Sequence, residues 1–128
     1  MSFQERIEKA RQNQGKTLPA NNNEQAEDYA GEYYGIENIR NHLACIDMRL
    51  TDGSRKALPY SYIMEINFEP SEGIEIVTAN KYIKITGRDL SRLYDYLIVY
   101  RVRYIQASMG MDGNEEGIFV EGITIQDL

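Results

Sequence analysis

The sequence predicts a small α+β protein: an antiparallel meander of about four or five strands, covered by one main helix in the C-terminal half and followed by a late strand. Three observations predict this class. Apolar and polar residues alternate in segments between Leu43 and Thr86, as in half-buried strands. Apolar residues then recur at helical spacing from Leu90 to Ile98, and strand-like segments return from Gly117 to Ile125. The pattern leaves open whether the strands form a twisted sheet or a partly open small barrel.

Residues 1–35 are predicted to precede the single domain, 36–128, as a short helix followed by a mobile polar linker. Ser2 and Glu5 form a capping box that favours helix initiation. The rest of the segment contains few aliphatic residues and many Asn, Gln and Gly residues, so it cannot bury enough apolar surface to offset its ordering entropy. We therefore expect deletion of residues 1–35 to leave the thermal midpoint nearly unchanged.

Three tyrosines are the unusual feature of this linker. Tyr29, Tyr33 and Tyr34 are grouped with acidic residues. The favoured interpretation is that they lie back on the domain. The alternative is an acidic, aromatic peptide that folds onto a partner.

The strands of the meander are separated by short turn sequences. The first segment ends at Leu50, and the Asp52-Gly53 pair that follows is a strong hairpin signal. Pro59 cannot donate a hydrogen bond to a ladder, so it indicates an edge or a bend. Three more alternating segments follow, at residues 62–68, 74–78 and 82–86. Their short connections predict antiparallel neighbours, because a parallel crossover needs a dozen or more residues.

The helical segment carries an apolar stripe made of Leu90, Leu93, Tyr94, Leu97 and Ile98. Thr86 is the predicted N-cap, with Asp89 at the third helical position. Leu97 lies at the centre of the stripe and is predicted to be a core residue. The helix is expected to end near Tyr100, because Arg101 would fall within the stripe. Residues 102–105 are either a frayed last turn or a short extended piece.

Charge and cysteine content bear on the class of protein. The formal net charge is −6, and the C-terminal segment, 109–128, has five acidic residues and no basic one. This balance argues weakly against a dedicated nucleic-acid binder. No stretch approaches the roughly 20 apolar residues of a membrane helix, and the N-terminus has no apolar signal core. A single cysteine, Cys45, fits a reducing compartment, so a cytoplasmic location without membrane association is expected.

Residues typical of catalysis or metal binding are few. His42 and Cys45 would point to opposite faces of a strand, which argues against a catalytic pair. Asp112, Asn114 and Glu116 have the spacing of a calcium loop, but Ile123 occupies the position of its bidentate Glu. We expect no catalytic residues, no metal and no cofactor, and therefore no enzyme.

The outer face of the helix is the candidate interface. Arg88, Arg92 and, if the helix continues, Arg103 gather opposite the apolar stripe, with Tyr96 and Val99 between them. Arg and Tyr are enriched at interface hot spots, and Arg also binds phosphate. The alternative is that these arginines pair with acidic neighbours and only keep the helix solvated.

The leading hypothesis is a small non-enzymatic protein-interaction module, such as an adaptor or a neutraliser of a toxic protein. It would bind another protein through the Arg/Tyr helix face, an exposed strand edge or the tyrosine-bearing segment. The alternative is a nucleic-acid-associated domain that uses the same Arg/Tyr face, and it predicts a steep salt dependence. The oligomeric state stays open.

Overall fold

Residues 28–37, 43–110 and 117–128 are described by a computed structural model of the chain. The predicted N-terminal helix, His42 and the calcium-like spacing at residues 112–116 lie outside these ranges. The strands in chain order are β1 (Tyr29–Ala30), β2 (Tyr34–Ile36), β3 (Cys45–Arg49), β4 (Arg55–Pro59), β5 (Ile63–Glu69), β6 (Gly73–Thr78), β7 (Lys81–Arg88), β8 (Val102–Gln106) and β9 (Phe119–Asp127). Helix α1 (Leu90–Leu97) lies between β7 and β8, and a 3₁₀ turn (Tyr60–Tyr62) lies between β4 and β5.

The strands form two sheets. Sheet A has the order β1-β2-β8-β3-β4, and sheet B has the order β5-β6-β7-β9. Every described neighbour pair is antiparallel except β3 and β8, which are parallel. The predicted α+β class, with its main helix in the C-terminal half and its late strand, is confirmed.

The β3–β4 hairpin forms where the sequence predicts it. The N–H of Leu50 donates to the carbonyl of Ser54, and Gly53 has a φ of 89°, a value that glycine adopts without strain. Pro59 ends β4 and precedes the 3₁₀ turn, after which the chain enters sheet B. The meander is therefore divided between two sheets at this proline.

Sheet B is built around a ladder of isoleucines on its inner face. Ile76 pairs with Ile66 on one side and with Ile83 on the other, and Ile83 pairs in turn with Ile125. Leu90, Leu93 and Leu97 of α1 are buried in the same cluster as this ladder and the inner residues of sheet A. The predicted core position of Leu97 is confirmed, because none of its surface is exposed.

The structure places residues 29–36 in sheet A, where the sequence predicts the end of a linker. Tyr33 and Tyr34 retain only 5% and 9% of their exposure, so they lie on the domain as favoured above. The ring of Tyr104 covers Gly35, and a Cβ atom built there would lie 2.2 Å from that ring. The apolar surface that this segment buries therefore comes from aromatic side chains, although the segment has few aliphatic ones.

The predicted helix boundaries are wrong at both ends. Strand β7 continues through Arg88, so the residue that precedes the helix is Asp89, in a left-handed conformation with φ of 59° and no side-chain cap. The helix ends at Leu97, short of Tyr100. Residues 102–106 form β8, which pairs with β2 and β3, because the apolar pattern there belongs to an inner strand.

Candidate functional site

Arg92 is the residue of the predicted Arg/Tyr face that lies most clearly on the outside of α1. Its side chain is 55% exposed, and its Nη1 lies 3.3 Å from Oδ2 of Asp89, three residues earlier. A hydrogen bond with Asp89, and to a smaller extent one with Tyr96, raise the pKa of its guanidinium above the ordinary value. Arg92 therefore forms the helix-surface pair that the alternative interpretation describes.

Arg88 and Arg103 lie on strands and not on the helix. Arg88 ends β7, where its Nε donates to the Gly117 carbonyl at 3.3 Å and its guanidinium lies 5.4 Å from the ring centroid of Phe119. Arg103 is on β8 and donates to Oε2 of Glu37 at 3.2 Å. The four predicted residues do not form one helix face, because the helix stops before Arg103.

Tyr96 belongs to a row of aromatic rings that joins sheet A to α1. The ring centroids of Tyr29 and Tyr34 are 4.8 Å apart, and those of Tyr34 and Tyr96 are 6.2 Å apart with an interplanar angle of 17°. The guanidinium of Arg101 lies 5.3 Å from the Tyr96 ring centroid. Burial raises the pKa of Tyr34 to about 12. These contacts give Tyr96 a role in holding β2 against the helix.

Large hydrophobic side chains are exposed on the turn after the helix and around the 3₁₀ turn that precedes β5. Tyr62, Met64, Ile98, Val99 and Tyr100 are large hydrophobic residues with exposures between 42% and 71%. We call these five residues the apolar turn surface. Soluble monomers rarely leave large apolar patches open to solvent, and such patches mark interaction sites.

The turn after α1 is closed by two hydrogen bonds of a Schellman motif. The N–H of Tyr100 donates to the carbonyl of Leu97, and the N–H of Arg101 donates to the carbonyl of Tyr96, both at 3.1 Å. Tyr100 takes the left-handed position, with φ of 60°, where glycine is usual. A residue with a Cβ costs roughly 1–2 kcal/mol in this conformation. The chain thus holds a large aromatic side chain at a strained and exposed position.

Tyr60 fixes the 3₁₀ turn beside this turn. Its ring stacks on Tyr100 with centroids 4.5 Å apart and an interplanar angle of 21°. The Tyr60 hydroxyl donates to the Val102 carbonyl at 2.7 Å and accepts from the Val102 N–H at 3.1 Å. Burial raises the pKa of this hydroxyl above its usual range. The turns carrying Tyr62 and Val99 are thereby brought together and held in place.

Charged residues near the apolar turn surface in sequence differ in exposure. Asp95, four residues before Val99, is exposed. Glu65, next to Met64 on β5, is also exposed and accepts a hydrogen bond from Asn67. Arg101, the basic residue next to Tyr100, is only 8% exposed, and its Nε donates to the Glu37 carbonyl at 2.8 Å. Near the turn after α1, the exposed charge is therefore acidic and the neighbouring basic residue is buried.

The sequence does contain a signal for this surface, although it is ambiguous. Ile98 is predicted to belong to the core stripe because it lies four residues after Tyr94. Once the helix ends at Leu97, the next residues leave that stripe and face solvent. Three consecutive large apolar residues after a helix therefore favour either a longer helix or a displayed turn, and the pattern alone does not distinguish them.

Few other side chains in the described part of the chain are of the types that catalyse reactions or bind metal ions. Cys45 is exposed at the start of β3. On the outer face of sheet B, Lys84 pairs with Glu72, and Tyr82 donates to Glu75. Across the three described ranges, no group of His, Cys, Asp and Glu side chains is arranged to hold a metal ion. No helix in those ranges is long and apolar enough to cross a bilayer.

Comparison with protein-family models, with curated proteins and with solved structures finds no match to this chain. The functional argument therefore depends on the geometry of the surfaces described above.

Proposed function

We propose that this protein is a small non-enzymatic module that binds another protein through the apolar turn surface. The observation that carries the proposal is the display of Tyr100 at a strained backbone position, beside the exposed side chains of Ile98 and Val99. Strained residues persist only where the surrounding structure holds them, and they cluster at functional sites. Rigid aromatic residues in particular lose little conformational entropy when they bind.

The architecture supports binding without reorganisation. The Schellman bonds and the Tyr60–Tyr100 stack hold the displayed residues before any partner arrives. A preorganised surface avoids part of the ordering cost of association, which otherwise consumes interface energy.

The charge of the chain near this surface indicates which kind of partner would bind. Asp95, four residues before Val99, is exposed, and the whole chain has a net charge of −6. A second copy would bring two chains of like charge together, which is unfavourable. The expected partner is therefore a protein that presents apolar side chains within a basic rim, as a neutralised or recruited basic protein would.

Site-specific photo-crosslinking in the native cell tests the proposal. A photoreactive residue replaces Val99 in one variant and Arg92 in a matched control, which is also exposed but lies on the predicted Arg/Tyr face. We expect a discrete protein adduct from position 99 and little from position 92. The same adduct from both positions, or from position 92 alone, would contradict the proposal.

The nucleic-acid alternative predicts a different product. Its phosphate contacts would use arginines such as Arg92 and Arg103, which are paired with Asp89 and Glu37. An adduct from position 92 that disappears on nuclease treatment would support that alternative and overturn the protein-binding proposal. Binding to nucleic acid should also weaken steeply with salt.

A further inference from the structure

The edges of the two sheets differ in how they resist pairing with another chain. Edge strand β1 has only 2 residues, and edge strand β4 carries Arg55, Lys56 and Pro59. Edge strand β5 has a bulge between Ile63 and Glu65. Short strands, charges, prolines and bulges are the usual protections of a sheet edge. Three of the four edges are therefore protected.

Strand β9 is the exception. It has 9 residues, and its only described strand neighbour is β7. Its single irregularity lies opposite Thr86 and Gly87, so the stretch from Gly122 to Asp127 pairs with β7 without interruption. That stretch contains no lysine, arginine or proline. Within the described residues, this regular six-residue edge has no bulge, no proline, no basic side chain and no second strand beside it.

The register identifies the backbone groups that point away from β7. The N–H of Leu128 donates to the carbonyl of Asn80, next to the Lys81–Asp127 pair. Hydrogen-bonded and non-bonded pairs alternate along an antiparallel ladder. Thr124 and Gln126 are therefore bonded to β7, whereas the N–H and carbonyl groups of Ile123, Ile125 and Asp127 point outward. Among the described residues, one backbone hydrogen bond reaches the outer edge of β9: the N–H of Ser108 donates to the carbonyl of Val120. Val120 precedes the stretch from Gly122 to Asp127.

Side chains along this edge are complementary to an apolar strand with basic residues. Ile123 and Ile125 belong to the inner ladder but stay only partly buried, so a further strand would cover them. Glu121 and Asp127 bracket the stretch; Asp127 is paired with Lys81 yet its side chain is 82% exposed. A second copy would align acidic residues of both chains along one short edge, which is unfavourable.

We propose that the β9 edge binds an extended segment of another protein, in which apolar residues alternate with lysine or arginine, as an added strand of sheet B. The backbone groups of Ile123 and Ile125 supply the hydrogen bonds of such strand addition, and the half-buried isoleucines supply pockets for alternate side chains. Glu121 and Asp127 favour the basic residues of the incoming strand. This surface is separate from the apolar turn surface.

Amide hydrogen exchange of the full chain, followed by NMR, tests the open edge. In the free protein, the amides of Ile123 and Ile125 should exchange faster than those of Thr124 and Gln126, which donate to β7. Equal protection of all four amides would show that the edge is already covered and would overturn the proposal.

Binding is then tested with a short synthetic peptide of alternating lysine and valine, and with a matched peptide of alternating glutamate and valine. With the lysine peptide at about ten times its Kd, exchange at Ile123 and Ile125 should slow about tenfold, because only the free state exchanges. The glutamate peptide should leave both amides unchanged. Equal effects from the two peptides, or no protection from either, would overturn the proposal.

Three variants locate the peptide. Ile125→Pro removes an outward N–H that β7 does not use, so sheet B should persist while the peptide no longer binds. Ile125→Val is its control and should bind normally. Val99→Asp should also leave peptide binding unchanged, which separates this proposal from the proposed function. If Ile125→Pro does not fold, the comparison of the two peptides on the wild-type chain decides the question.

Discussion

Removal of one hydroxyl tests how the two turns beneath the apolar turn surface are held. In Tyr60→Phe, the ring and its stack on Tyr100 stay in place, while the bonds to the carbonyl and N–H of Val102 are lost. Tyr60 is only 2% exposed, so water does not readily replace the hydroxyl. Two lost hydrogen bonds cost about 1 kcal/mol each, and buried groups left unsatisfied add to this. The expected loss in the free energy of unfolding is about 2–4 kcal/mol.

Urea unfolding followed by circular dichroism measures this loss. The midpoint should fall while the slope of the free energy against urea stays constant, because the exposed area on unfolding is unchanged. Tyr62→Phe is the matched control: Tyr62 is 64% exposed, and its hydroxyl should contribute less than about 0.5 kcal/mol. If Tyr60→Phe lowers the free energy of unfolding no more than the control does, the hydrogen bonds of the Tyr60 hydroxyl to the Val102 backbone do not stabilise the protein, and the reasoning is refuted.

Three other substitutions test the fold. Leu97→Ala should lower the free energy of unfolding by about 2–5 kcal/mol in chemical denaturation, since Leu97 is fully buried; a loss well under 1 kcal/mol would contradict its core position. Tyr34→Ala should cost about 3–5 kcal/mol, which a polar linker would not produce. Hydrogen bonding to Arg55 lowers the pKa of Asp47, so its stabilisation is complete above its ordinary pKa of about 4 and is lost as the pH falls through the lower folded value. Asp47→Asn should therefore flatten the acid limb of the thermal midpoint against pH, and an unchanged limb would refute this pairing.

The antiparallel pairing of β5, β6 and β7 is predictable from the sequence, because these three strands are joined by short turns. Segments such as 74–78 and 82–86 lie close along the chain, and their alternation matches the paired isoleucines. Strand β8 could not be predicted in the same way. It pairs with β2 and β3, which are far away in sequence. It also follows the helix closely, and its apolar residues resemble a further turn of that helix. Long-range pairing leaves no local period to detect.

The Arg/Tyr interface stays a prediction, and the structure shows only that Arg92 lies exposed on α1. The end of the helix, however, decides whether Ile98 is buried or displayed, and that end is set by the Schellman bonds of Tyr100 and Arg101. Tyr100 gives no sequence signal for this motif, because glycine is the residue that usually marks it.

The most direct test of the central claim is the affinity of the protein partner identified by cross-linking at position 99. Titration calorimetry would compare the wild-type chain with Val99→Asp and with the double variant Arg92→Ala/Arg103→Ala. An aspartate buried in an apolar interface should weaken binding by about 100-fold or more, since an unpaired buried charge costs several kcal/mol. The arginine variant should change Kd by less than about fivefold, because exposed charge pairs contribute about 0–1 kcal/mol. Normal affinity for Val99→Asp, together with loss of binding in the arginine variant, would contradict the account.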